Sequence, residues 1–95
     1  MRTIKIKDYA TIISEESLGQ KIYTILQGIV DEGESLTVDM EGVKTMATFC
    51  AKQIFGQLCK KMGENAFYEK VTIVSASEQM KTSIRLGILY ALQDE

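Results

Sequence analysis

Residues 36–63 read LTVDMEGVKTMATFCAKQIFGQLCKKMG, a strand, a turn and a helix in one stretch. Leu36 to Met40 is short, apolar and rich in β-branched side chains, so it favours a strand. The text from Asp39 to Val43 then turns, and Gly42 can take the positive φ that a tight turn demands. Thr48 or Thr45 is placed to cap the helix that follows. Ala51, Ile54, Phe55, Leu58, Cys59 and Met62 recur at helical spacing and form its apolar face. Lys60 and Lys61 fall in the last turn, where positive charge suits the helix dipole, and Gly63 terminates it.

The flanks repeat that unit. Thr3 to Lys7 alternates, with Ile4 and Ile6 expected toward a core and Lys5 and Lys7 toward water, which predicts a strand ending near Asp8-Tyr9. Ile12 and Ile13 extend the apolar contact. Ser14 with Glu15 and Glu16 signals a helix start, because a hydroxyl and acids both satisfy exposed N–H groups. Leu18, Ile22, Ile25, Leu26, Ile29 and Val30 make the buried stripe, Gln20, Lys21, Gln27 and Asp31 the wet side, and Gly33 the stop. Beyond Gly63, Glu64 to Lys70 reads as a loop carrying Phe67 and Tyr68. Val71 to Val74 is a third strand, apolar enough to be central. Ser75-Ala76-Ser77 before Glu78 is again a cap followed by an acid. Met80, Ile84, Gly87, Ile88, Ala91 and Leu92 mark the last helix, with Lys81, Arg85 and Gln93 on its other side.

The predicted order is β-α-β-α-β-α in one domain over residues 1–95, an α/β fold with a mainly parallel sheet and right-handed crossovers. Three strands make a small sheet, so two helices are expected on one face and one on the other. A homodimer or a bound partner is expected to cover what remains exposed.

Composition narrows the function. The chain has 95 residues, 45% of them hydrophobic, with 11 basic and 13 acidic side chains and a net charge of −2. Only Lys60 and Lys61 are adjacent basic residues, so no basic stripe offers itself to nucleic acid. No apolar run is long enough to span a membrane. The start, Met-Arg-Thr-Ile-Lys-Ile-Lys, lacks the apolar core of a signal peptide. Histidine is absent, which excludes Ser-His-Asp and Cys-His catalysis within the chain. Cys50 and Cys59 are nine residues apart, so on a helix they point to opposite faces and cannot pair. With no signal peptide, that usage predicts a reducing cytoplasm.

Ligands of parallel α/β sheets gather at the carboxyl ends of the strands. Here that edge collects Asp8, Tyr9, Asp39, Glu41, Gly42, Ser75 and Ser77, beside helix amino termini that favour anions. Asp39 and Glu41 share a face on a continuing strand and can be read as a metal or proton-transfer pair. Turn chemistry accounts for an Asp beside a Gly more simply, with Glu41 solvated. Cys59 reads as a core residue. Cys50 lies near a helix start, where the dipole can acidify a thiol. The glycines form no phosphate-binding loop. Thr45 and Thr48 are either plain capping residues or phosphate acceptors whose added charge a helix start would sense. Met46 and Phe49 are either a hydrophobic staple, the slightly favoured reading, or an exposed patch that docks a partner. Phe67 and Tyr68 face the same choice. No catalytic constellation, metal site or cofactor is expected.

Val38-Asp39-Met40-Glu41-Gly42-Val43 resembles the strand-turn signature of STAS domains, the fold of anti-sigma-factor antagonists and sulfate-transporter tails. Ile54-Phe55-Gly56-Gln57-Leu58 resembles a narrower branch, the stand-alone bacterial STAS-like domains of unknown function. The likeness covers roughly residues 14–92. It implies regulation by protein binding. Anti-sigma antagonists dock onto a histidine-kinase-like ATPase, and phosphorylation of a serine at the start of the helix after the signature releases the complex. That serine position falls on Phe49 here, with Thr48 beside it. The signature serine is Glu41, and acidic residues of the helix's first turn are Lys52 and Gln53. The expected function is a non-enzymatic regulatory module. Asp39, Glu41 and Gly42 shape its loop, Thr45 and Thr48 are contact or modification sites, Phe49 is the apolar anchor, and Lys52 closes the region. The alternative is a small-molecule or nucleotide sensor using the strand carboxyl edge. An enzyme built on Asp39, Glu41 or Cys50 is the weakest reading.

Overall fold

The computed structural model describes residues 2–94. Its main sheet holds β1 (Arg2–Lys5), β3 (Leu36–Asp39) and β5 (Val71–Val74) in the order β1-β3-β5, all parallel. The α/β fold and the parallel sheet are thus as the sequence predicts. β3, not β5, is the central strand, and this corrects the placement of Val71 to Val74. Leu36 and Val38 of β3 are buried and Thr37 and Asp39 half-buried, because a neighbour lies on each side. β5 has only one neighbour, which leaves Thr72 and Val74 exposed.

β1 stops at Lys5, earlier than its alternation suggests. β3 gives it only four partners, and the chain then makes a single 3-10 turn over Ile6–Asp8. Tyr9 N–H donates to the Ile6 carbonyl at 2.9 Å, and the turn drops Ile6 into the core. A second, two-stranded parallel sheet pairs β2 (Ile12–Ile13) with β4 (Thr45–Met46). Ile13 is fully buried, as expected, whereas Ile12 is exposed.

The helix stripes are largely those of the sequence. In α1 (Glu16–Asp31) Ile22, Leu26 and Ile29 are buried. Ser14 does not cap it, and Glu15 takes the cap position without a side-chain bond. Gly33, at φ 83°, ends it as predicted and donates to the Val30 carbonyl. In α5 (Glu78–Gln93) the Ser77 hydroxyl accepts from Met80 N–H at 3.1 Å, a predicted cap.

Between them runs one continuous rod over residues 48–62: α2 (Thr48–Ala51), a π-helical turn (Lys52–Gly56) and α3 (Gln57–Met62). It packs against α1 on one side and α5 on the other. Cys50 and Cys59 are both free and buried in this packing. Its approach to α5 is backbone to backbone. A Cβ on Gly56 would lie 2.6 Å from the Gly87 carbonyl oxygen, and a Cβ on Gly87 2.5 Å from Lys52 N.

Residues Glu64–Lys70, expected as a loop, are helix α4. Gly63, at φ 90°, breaks the rod, and its carbonyl accepts from Phe67 N–H to start the next turn. Glu64 in the first turn and Lys70 in the last suit the dipole. Phe67 is buried under it.

The sheet rows show where the helices lie. Ile4, Val38 and Ile73 are in register on the core face. The rows Thr3-Thr37-Thr72 and Lys5-Asp39-Val74 alternate to the other face, where every member is exposed or half-buried. Among the described residues no helix covers that face, so the expected division of two helices and one is corrected. Among the described residues no helix is long and apolar enough to cross a membrane.

Candidate functional site

The predicted region falls into two places. The first is the turn after β3. The Asp39 carboxylate accepts the Glu41 backbone N–H at 2.9 Å, an Asx turn that occupies one of its oxygens. Val43 N–H closes onto the Met40 carbonyl at 3.1 Å, and Gly42 sits at φ 81°, as the sequence requires. A side chain at Gly42 would be strained and would also meet the Lys7 stem at 3.1 Å. Glu41 is exposed and lies 3.9 Å from the Lys7 ammonium, so it is a solvated partner of a surface cation. The simpler turn reading of Asp39 and Glu41 therefore stands. Among the described residues no three His, Cys, Asp or Glu side chains gather to hold a metal.

The second place is the start of the rod. Thr45 belongs to β4, with its side chain exposed, and so cannot cap the helix. Thr48 is the first helical residue, after Ala47, and makes no capping bond either. The amides of Cys50 and Ala51 donate to the Ala47 carbonyl at 3.0 Å instead. Both predicted threonine caps are thus corrected. The staple is corrected as well. Met46 turns into the core while Phe49 points out, 54% exposed, so the pair is not packed over the helix start. Phe67 and Tyr68 divide in the same way: Phe67 is buried and Tyr68 exposed, with the rings edge to face at 5.2 Å.

Thr48, Phe49 and Lys52 do come together, beside the end of α5. With Tyr90, Gln93 and Asp94 they line a hollow of about 430 Å³. Phe49 and Lys52 also border a second hollow of about 270 Å³, with Glu16, Gln53 and Gln57. Phe49 is therefore a ridge between two depressions. Lys52 forms an ion pair with the Asp94 carboxylate. That hydrogen bond and charge hold the Asp94 carboxyl below the usual carboxylate range, with a smaller contribution from Lys60. The Lys60 ammonium donates to the Asp94 carbonyl at 2.9 Å. Gln53 donates to the Glu16 carbonyl at 3.0 Å, and its own carbonyl oxygen is buried with no hydrogen-bond partner among the described residues.

Tyr90, Asp94 and Glu16 were not anticipated. Tyr90 did carry a signal, since it stands off the stripe of Met80, Ile84, Gly87, Ile88 and Ala91 and a large aromatic there must face outward. Nothing in the text joins Lys52 to Asp94.

Cys50 is no acidified thiol. It is fully buried, with its sulfur 3.6 Å from the Glu15 carbonyl, and burial pushes its pKa up. Burial also raises Cys59, helped by the charge of Glu64. We expect neither thiol to react with a disulfide reagent near neutral pH until denaturant is added. Rapid native labelling of Cys50 would reverse this reading.

No curated protein and no solved structure matches the chain. Residues 19–81 match the family described as STAS-like domain of unknown function (DUF4325), a span that holds the turn after β3, the ridge at Phe49 and the whole rod. The strand-turn text around Asp39 and the helix text around Phe55 thus resembled the right fold family, and the chain belongs to these STAS-like domains of unknown function.

Proposed function

We propose that the chain is a non-enzymatic regulatory module that docks a partner protein through the Phe49 ridge, with Thr48, Lys52 and Tyr90 beside it. The observation that carries this is Phe49 itself. It opens a rod whose other apolar residues from Cys50 to Cys59 are all buried, yet its ring lies in water. An aromatic anchor between two depressions is the arrangement that concentrates binding energy at protein interfaces. Membership of a STAS-like family supports a binding role, and by the likeness to anti-sigma-factor antagonists the partner is a histidine-kinase-like ATPase.

Thr48 is the modification site of this reading. The phosphoryl group passes from the partner's ATP to the Thr48 hydroxyl, leaving ADP, and the new charge sits at a helix amino terminus that favours it. Lys52 is one turn along the same face, so a phosphate on Thr48 competes with Asp94 for the Lys52 ammonium. Contact and charge are thereby changed together. Thr45, exposed on β4, is the secondary acceptor.

The test is a pull-down from the native host with mass spectrometry of bait and eluate. The wild type is expected to retain a histidine-kinase-like ATPase and to carry phosphate on Thr48. Phe49→Ala is expected to weaken that interaction by about 30-fold or more, the effect of losing an interface hot spot of about 2 kcal/mol. An unchanged interaction in Phe49→Ala and in Thr48→Glu overturns the site. A rise in Tm with a nucleotide alone, and no protein partner, transfers the reading to a nucleotide sensor.

A further inference from the structure

The two edges of the main sheet are unlike. β1 carries Arg2 and Lys5, and Lys7 follows, so its edge has the charges that keep other strands from adding to it. β5 is Val-Thr-Ile-Val, with no charge, no proline and no bulge. Its outward hydrogen-bonding groups can be identified. Met40 N–H donates to the Val74 carbonyl, so Val74 and Thr72 turn their peptide groups toward β3. Ile73 therefore turns its N–H and carbonyl outward, and among the described residues neither has a partner.

Beside this edge, between α4 and α5, lies a groove of about 290 Å³. Its floor is apolar, made by Ile73, Ile84 and Ile88, and Tyr68 stands at its side. Two cations, Lys81 and Arg85, line it, and no acid does. Lys81 has an intrahelical partner in Glu78 at 3.3 Å, whereas Arg85 has no ion pair among the described residues. The chain as a whole is acidic, at −2, so this cationic lining is local.

We infer that the β5 edge and this groove receive an extended segment of a partner protein in which apolar and acidic side chains alternate with small polar ones. The segment adds a strand to β5 through Ile73, its apolar side chains enter the groove, and its carboxylates meet Arg85 and Lys81. A second copy of this chain fits less well. A two-fold β5–β5 pairing sets groove beside groove, brings Lys81 and Arg85 toward their own counterparts, and supplies no acid. This surface is separate from the Phe49 ridge and shares no lining residue with it.

The experiment uses the full chain and short, capped, fluorescein-labelled peptides in which threonine alternates with valine and glutamate. Controls carry lysine for glutamate, or N-methylated backbone. Anisotropy is expected to show saturable binding of the glutamate peptide, and binding of both controls weaker by about tenfold or more, as two surface charge contacts turn repulsive or the strand bonds are lost. Arg85→Glu reverses the preference between glutamate and lysine peptides, and Arg85 is exposed, so the variant keeps its helical circular dichroism. Hydrogen exchange at the Ile73 amide slows when the glutamate peptide is present. Phe49→Ala binds this peptide as the wild type does, which keeps the outcome separate from that of the proposed docking ridge. No binding, binding indifferent to N-methylation or to charge, an Ile73 amide that stays fast, or a dimer that sediments as one and is lost in Ile73→Pro overturns the inference.

Discussion

Phe55→Ala is expected to destabilise the protein by about 3–5 kcal/mol, the usual cost of emptying a fully buried aromatic site. Phe55 is fully buried in the π-helical turn of the rod, which packs against α1 and α5, and is among the largest fully buried side chains. A domain of this size holds only about 5–14 kcal/mol in all, so about a fifth or more of its stability is at stake. The corresponding fall in Tm is on the order of 15–30 °C. Phe49→Ala removes the same atoms from the same rod at a position that is 54% exposed, and its cost is expected within about 0.5 kcal/mol. Thermal and urea unfolding followed by circular dichroism check both. Comparable losses in the two variants would mean that Phe49 holds the fold together and is no docking residue. A nearly neutral Phe55→Ala would mean that the rod's contacts with α1 and α5 are looser than its burial implies.

The difference between these two phenylalanines was only partly legible in the text. Spacing placed Phe55 on the buried stripe correctly, because a helix that packs on its neighbours must repeat apolar residues at its own period. Spacing left Phe49 open between a staple and a patch, since which way a first-turn side chain points depends on what stands opposite it. The same limit governs the strands. Val71 to Val74 looked central because apolar composition reports half-burial and not the number of neighbours. β5 gains its burial at Val71 and Ile73 from the helix side while Val74 stays in water. β2 and β4 have two residues each, too few to show a period. α4 was hidden because its seven residues bury only Phe67, and one apolar residue makes no stripe.

The candidate site divides along the same line between local and distant causes. Asp39, Glu41 and Gly42 make a turn by local hydrogen bonding and positive φ, and such chemistry is written in adjacent residues. Thr48, Phe49 and Lys52 are legible in the sequence because they surround a helix start. Their companions Tyr90 and Asp94 come from the far end of the chain, and it is folding of α5 onto the rod that brings them there. A contact of that kind leaves no local pattern. What made it available is a pair of glycines that spacing does not interpret, Gly87 on the predicted stripe of the last helix and Gly56 off the stripe of the rod.

Gly87→Ala is expected to destabilise by about 1–3 kcal/mol, although alanine at an ordinary helical position gains about 1 kcal/mol over glycine. The new Cβ would lie 2.5 Å from Lys52 N, 2.6 Å from the Ala51 carbonyl carbon and 3.0 Å from the Ala51 Cβ. The two closest obstacles are backbone atoms, which cannot rotate aside as a flexible side chain can, so α5 must back away from the rod. Gly56→Ala meets the reciprocal obstacle, the Gly87 carbonyl oxygen at 2.6 Å. The control is Gly28→Ala in α1, where a Cβ meets nothing within 4 Å. There the same chemical change is expected to stabilise by about 0.5–1 kcal/mol, because only the propensity difference remains. Opposite signs for Gly28→Ala and Gly87→Ala in urea unfolding would establish that backbone contact, not side-chain packing, sets the distance between rod and α5. Equal signs would refute it. The consequence reaches the surface, because α5 carries Tyr90 toward Phe49 and leads into Asp94, the partner of Lys52. A helix displaced by one methyl group would part that ion pair and open the hollow beside the ridge. If the chain docks a partner through the ridge as proposed, Gly87→Ala is therefore expected to weaken that docking although Gly87 itself is buried, and the loss should track the shift in stability across Gly56→Ala and Gly87→Ala while Gly28→Ala docks as the wild type does.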